Sequence, residues 1–102
     1  MGQRLDLHEL LVDVLGSRNV YFQPPSGDKL KFPAIEYHLT DITSRFADDM
    51  PYATTTAYLI TIIDADPDSA IPTKLLRRFT RIAFDRAFAN DNLNHFVFKV
   101  YF

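Results

Sequence analysis

Residues 53–65, ATTTAYLITIIDA, form the stretch that most constrains the fold. It is rich in β-branched and aromatic residues, holds no Gly or Pro, and runs out at Asp64-Ala65-Asp66-Pro67. Extended, it puts Ala57, Leu59, Thr61 and Ile63 on one face and Tyr58, Ile60 and Ile62 on the other. Both faces are apolar over the second half, which predicts a central strand covered on both sides. A helix is the competing reading. Thr54-Thr55-Thr56 and Thr61-Ile62-Ile63 oppose it, because β-branched side chains lose rotamer freedom in a helix. The stretch carries no catalytic group.

The flanking segments supply the partners of this strand. Leu5, His8, Leu11, Val12 and Leu15 recur at helical spacing and predict an amphipathic helix over 3–15, ended by Gly16 in a left-handed conformation. Val20-Tyr21-Phe22-Gln23 reads as a short strand, and Pro24-Pro25-Ser26-Gly27-Asp28 as an extended segment and turn. Residues 34–41 alternate as a strand, with Ile35, Tyr37 and Leu39 against Glu36, His38 and Thr40. Residues 42–52 break that pattern with Asp48-Asp49 and Pro51 and predict a long loop, with Phe46 pinning it to the core.

Beyond the central strand, Ile71, Leu75, Phe79 and Ile82 predict a second helix over 71–82, capped by Asp68 or Ser69. Its cations, Lys74, Arg77, Arg78 and Arg81, suit the negative end of the helix dipole or form a basic patch for a phosphate or an acidic neighbour. The last segment predicts a hairpin: strand 83–89, an Asn/Asp-rich turn, and strand 95–102 with Phe96, Phe98, Val100 and Phe102 on one face. That final strand ends on an aromatic and reads as an unprotected hydrophobic edge that a neighbouring subunit could cover.

Several kinds of chemistry lack a basis in the residues. The chain has no cysteine, so thiol catalysis and thiolate metal sites are excluded. No Gly-rich phosphate loop, metal-binding His spacing or hydrolytic Ser elbow is present. Asp64, Asp66 and Asp68 alternate like a calcium loop, but Ser69 and Leu75 stand where that loop needs Gly and Glu. No cofactor and no metal are expected, and the balance favours a non-enzyme. A net charge of −2 gives no general attraction to nucleic acid. No signal peptide is read at the N-terminus, and no apolar run approaches a membrane span. Aromatic residues make up 14% of the 102 residues, more than one small core can centre, so part of that surface is expected at a protein interface.

Val20-Tyr21-Phe22-Gln23-Pro24-Pro25, Phe32-Pro33-Ala34-Ile35-Glu36-Tyr37, Tyr52 with Ala57–Asp64, Asp66-Pro67-Asp68-Ser69 and Asp91-Asn92-Leu93-Asn94-His95 follow one another through most of the chain. Together and in this order they resemble the tail-terminator or tail-completion proteins of long-tailed bacteriophages, a group also described as minor capsid or head–tail joining proteins. Ala34 departs from the pattern, where a more variable or Cys-like small residue would be expected.

The resemblance implies one α+β domain over 1–102, with a mixed or mainly antiparallel β-sheet and two amphipathic helices packed on it, as the segments above also suggest. It implies a homo-oligomeric ring of six subunits in the virion, assembled in the host cytoplasm. That ring would cap the head-proximal end of the tail tube, stop tube polymerisation and join the neck proteins of the head. Its partners would be the tail tube protein and the head–tail connector, with phage DNA passing through the lumen without specific binding and no membrane involved. A head–tail adaptor or stopper is the alternative in the same particle. A small nucleic-acid-binding module using residues 74–81 is the alternative of another class. Candidate contact residues, chosen for charge and loop position, are Gln23, Lys29 and Lys31 in loop 23–31, then Arg45, Asp48 and Asp49 in loop 43–50. Lys74, Arg77, Arg78 and Arg81 complete the set.

Overall fold

A computed structural model describes residues 3–24, 30–47 and 50–102, without the side chains of 3, 43–47 and 50–54. Two helices and five strands follow in the order α1 (Gln3–Leu15), β1 (Val20–Phe22), β2 (Ala34–Ala47), β3 (Met50–Asp64), α2 (Ile71–Arg78), β4 (Ile82–Asn90) and β5 (Leu93–Tyr101). The strands make one mixed sheet in the order β1-β2-β3-β5-β4, so the fold is α+β. β1 runs parallel to β2, and every other pair is antiparallel. Residues 53–64 lie in the middle strand, as their composition predicts, and Ala65 bends out of it.

One face of this sheet makes the core. Ile35 and Tyr37 of β2, Tyr58, Ile60 and Ile62 of β3, and Phe98 and Val100 of β5 pack with Leu7, Leu11 and Val14 of α1 and Leu75 of α2. Both helices therefore cover the same face, which corrects the expectation of cover on two sides. The opposite face of β3 is screened differently. Ala57 and Ile63 are buried there, yet they lie outside the helix-side cluster, among sheet neighbours such as Val97. Half-buried Leu59 and Thr61 complete that face.

α1 begins and ends within the predicted bounds, but its buried stripe is rotated. Leu7, Leu11 and Val14 are buried, whereas Leu5 is 56% exposed. The helix is apolar on several sides, so spacing alone left its phase open. Gly16 ends it as expected, with φ at +82° and its N–H donating 2.9 Å to the Val12 carbonyl.

The phase is fixed by a polar anchor. The Arg4 guanidinium donates to the Tyr37 phenol oxygen at 3.4 Å, and that phenol lies 2.8 Å from His8 Nδ1. Arg4 also sits 4.4 Å over the Phe22 ring. Burial holds the His8 imidazole below its ordinary proton affinity; Glu9 opposes this, and Arg4 and Arg18 add to it. The folded chain thus resists a proton that the unfolded chain accepts below pH 6.5. Stability is expected to fall as the pH drops through this region, and His8→Gln is expected to flatten that slope. Urea midpoints of the two proteins between neutral and mildly acidic pH check it.

Two boundaries differ from the sequence reading. α2 stops at Arg78, where Phe79 turns extended (φ −119°, ψ 146°) and sets its ring edge-on to Phe102 at 6.1 Å. Arg81 consequently leaves the helix, and Ile82 opens β4. The β4–β5 turn is tighter than expected, two residues with positive φ at Asp91 (51°) and Asn92 (63°), which suits an antiparallel hairpin. β5 is not the edge. It lies between β3 and β4, and β4 takes the outside position.

Candidate assembly interface

The largest departure from the sequence reading lies in 42–52, which is strand and not loop. β2 continues to Ala47 and β3 starts at Met50, paired from Ile42↔Thr56 to Ala47↔Met50. β1 leaves β2 after Tyr37, and β5 leaves β3 at Ala57. Ile42–Ala47 and Met50–Thr55 therefore form a two-stranded arm beyond the five-stranded sheet. At about 3.3 Å per residue the arm reaches ~20 Å, which accords with a molecule measuring 52 × 26 × 23 Å. A two-stranded ribbon is marginal in water and gains stability when a third strand or a packed face joins it. Among the described residues, no third strand joins this one.

β4 is the second feature that calls for a partner. Among the described residues it pairs with β5 alone, so its outer edge presents unpaired backbone groups. Ala83 to Asn90 are exposed along it. A register shift between Phe84 and Arg86 sends the two aromatics to opposite faces. Phe84, 54% exposed, meets Phe98 edge-on at 5.4 Å, and Phe88, 45% exposed, stacks on His95 at 4.6 Å. Arg86 pairs with the Asp85 carboxylate beside it. The other outer strand, β1, is only three residues long and packs beside α1.

The residues chosen from sequence are dispersed. Gln23 extends the β1–β2 ladder: its N–H donates to the Tyr37 carbonyl at 2.9 Å, and its Oε1 accepts from the Leu39 N–H at 3.3 Å. With φ at +46° it ends β1, so its amide is engaged within its own chain. Lys31 is exposed, and its backbone N–H donates to the Tyr21 hydroxyl at 3.4 Å. The backbone of Arg45 lies in the arm; its side chain, like Lys29, Asp48 and Asp49, lies outside the described residues.

The basic helix face is divided. Lys74, Arg77 and Arg78 are exposed on α2, and Arg78 Nε lies 4.0 Å from Asp13 of α1. Arg81 sits before β4, its guanidinium 5.1 Å from the Tyr101 ring, while the Lys99 ammonium lies 5.3 Å from the same ring. These cations collect where α2 passes into β4, at the end of the sheet from which the arm leaves.

The acidic turn after β3 is occupied locally. Asp64 Oδ1 accepts from the Asp66 N–H at 3.1 Å, and Asp66 Oδ1 from the Asp68 N–H at 2.9 Å. Ser69 Oγ accepts from the Ile71 N–H at 3.2 Å, but the N-cap of α2 is Ala70 and makes no side-chain cap bond, which corrects the expectation of a cap by Asp68 or Ser69. Among the described residues no group of acidic or His side chains is arranged to hold a metal, and no helix is long and apolar enough to cross a membrane.

Sequence reasoning missed the arm and the β4 edge. The segments flanking Asp48-Asp49, ITSRFA and MPYATT, are equal in length, and that near-symmetry was the available signal. Comparison of the chain with known protein families and with curated proteins finds no match.

Proposed function

We propose that this chain is a structural subunit of a long-tailed phage, a tail terminator that assembles as a ring on the head-proximal end of the tail tube. The observation that carries the assembly part is the protruding arm together with the open nine-residue edge of β4. Each is a surface that gains stability from another protein chain. The segments from Val20 to His95 that resemble tail-completion proteins supply the particular particle.

In this reading the work of the protein is geometric. One side of the ring imitates the next layer of tube, and the other refuses further tube subunits and receives the neck. DNA passes through the opening, and a chain of net charge −2 does not hold it by general attraction. Cations and acids on separate elements, Arg77 and Arg78 at the end of α2 and Asp64, Asp66 and Asp68 from the last residue of β3 onward, would favour contacts between unlike surfaces of neighbouring copies. An adaptor or stopper on the connector would use the same surfaces. Tail length in particles made without this chain separates the two.

A further inference from the structure

We infer that the arm of one copy, Ile42–Ala47 with Met50–Thr55, adds as strand to the outer edge of β4 in the next copy. This rests on self-association in the reading above but not on the identity of the particle. Strand addition requires an open edge on each side, and the fold supplies two of useful length. β4 offers nine residues, and each arm strand offers six. β1, with three residues, is too short to seat the arm.

The topology excludes the pairing within one chain. Ala57 of β3 faces Tyr101 of β5, and Ile82 of β4 faces Val100, so the arm leaves the sheet at the end where β4 begins. β4 then runs the opposite way, toward Asn90. The arm points away from its own β4, and the strand that receives it must belong to a second copy.

Both features benefit from one contact. The ribbon gains the third strand that a stable sheet needs, and β4 loses an edge that invites uncontrolled pairing. A β4–β4 contact around a two-fold axis would cover the edge but leave both arms as they are. Arm and β4 are different surfaces, so the contact is head-to-tail and propagates into a ring or a filament.

The absence of cysteine makes disulfide trapping specific. Full-length variants carrying Ser44→Cys or Thr54→Cys in the arm are mixed with Ala83→Cys, Ala87→Cys or Ala89→Cys in β4 and oxidised. The expected result is a shift to covalent dimer in at least one arm–β4 mixture and none in β4 variants alone. Placing that pair in one chain is expected to give a ladder beyond the dimer. Cross-links between β4 cysteines alone, a ladder that stops at two, or no arm–β4 product in any mixture would each overturn the inference. Rings that still sediment without arm–β4 links would leave the assembly reading standing. Links that form in a protein whose loss leaves tail length normal would leave the strand exchange standing and remove the terminator.

Discussion

Phe98→Ala is expected to cost about 3–5 kcal/mol of stability, the usual range for removing a buried phenyl ring. Phe98 is 1% exposed and occupies β5 between Ile60 of β3 and Phe84 of β4. Its ring belongs to the cluster that joins Leu7 and Leu11 of α1 and Leu75 of α2 to the sheet. Its backbone is held by pairing on both sides, to β3 and to β4, so the strand itself has little freedom to move into the space. A domain of this size holds roughly 5–15 kcal/mol in all, and the variant should lie near the limit of folding. Phe84→Ala is the internal comparison: its ring is more than half exposed on the edge strand, so its loss is expected to cost about 1 kcal/mol or less. Urea titrations of the three proteins check the order. Equal costs would mean that β4 packs as deeply as β5.

The core was legible in the sequence where apolar alternation was uninterrupted. Tyr58, Ile60 and Ile62 fall on one face of β3 and Phe96, Phe98 and Val100 on one face of β5, as their spacing requires. Three features were not legible, for separate reasons. α1 has apolar residues around much of its circumference, and the pairing of His8 with Tyr37, 29 positions away, selects which stripe is buried. Phe79 and Ile82 lie three apart and fit a helix, but the contact of Phe79 with Phe102 at the far end of the chain draws the backbone into an extended form. The arm's strands carry no regular apolar alternation, and Asp48-Asp49 with Pro51 reads as a loop.

The candidate surface was legible in part. Charge and composition singled out α2, whose Lys74, Arg77 and Arg78 are exposed, yet Arg81 belongs to the approach to β4. The open edge belongs to β4 and not to β5, the strand whose aromatic end suggests it. Periodicity identifies two paired strands, but it does not say which of them reaches the rest of the sheet.

Under the proposed ring assembly, charge reversal by Arg77→Glu with Arg78→Glu is expected to dissolve the ring and leave the fold intact. Both side chains lie on the solvent side of the last turn of α2, and the Arg78–Asp13 pair at 4.0 Å joins half-exposed and mostly exposed groups. Such a pair contributes under about 1 kcal/mol, and two carboxylates near a helix C-terminus add a similar small cost. Across the proposed subunit boundary the change would be larger, because two cations facing an acidic neighbour would become anions that repel it. At about tenfold in affinity for each 1.4 kcal/mol, two reversals are expected to weaken each contact by about a hundredfold. Sedimentation should then show a monomer whose urea midpoint is close to that of the parent. A ring of unchanged mass would remove the basic end of α2 from the interface. A monomer that has also lost its cooperative unfolding would show that these arginines support the fold itself.

Electron microscopy of particles produced with this gene disabled tests the terminator reading most directly. Headless tails of excessive and variable length beside filled heads are the expected result, since nothing would stop tube polymerisation. Tails of normal length beside unjoined or emptied heads would contradict the terminator and move the chain to the connector. Intact infectious particles would contradict any role in building the virion.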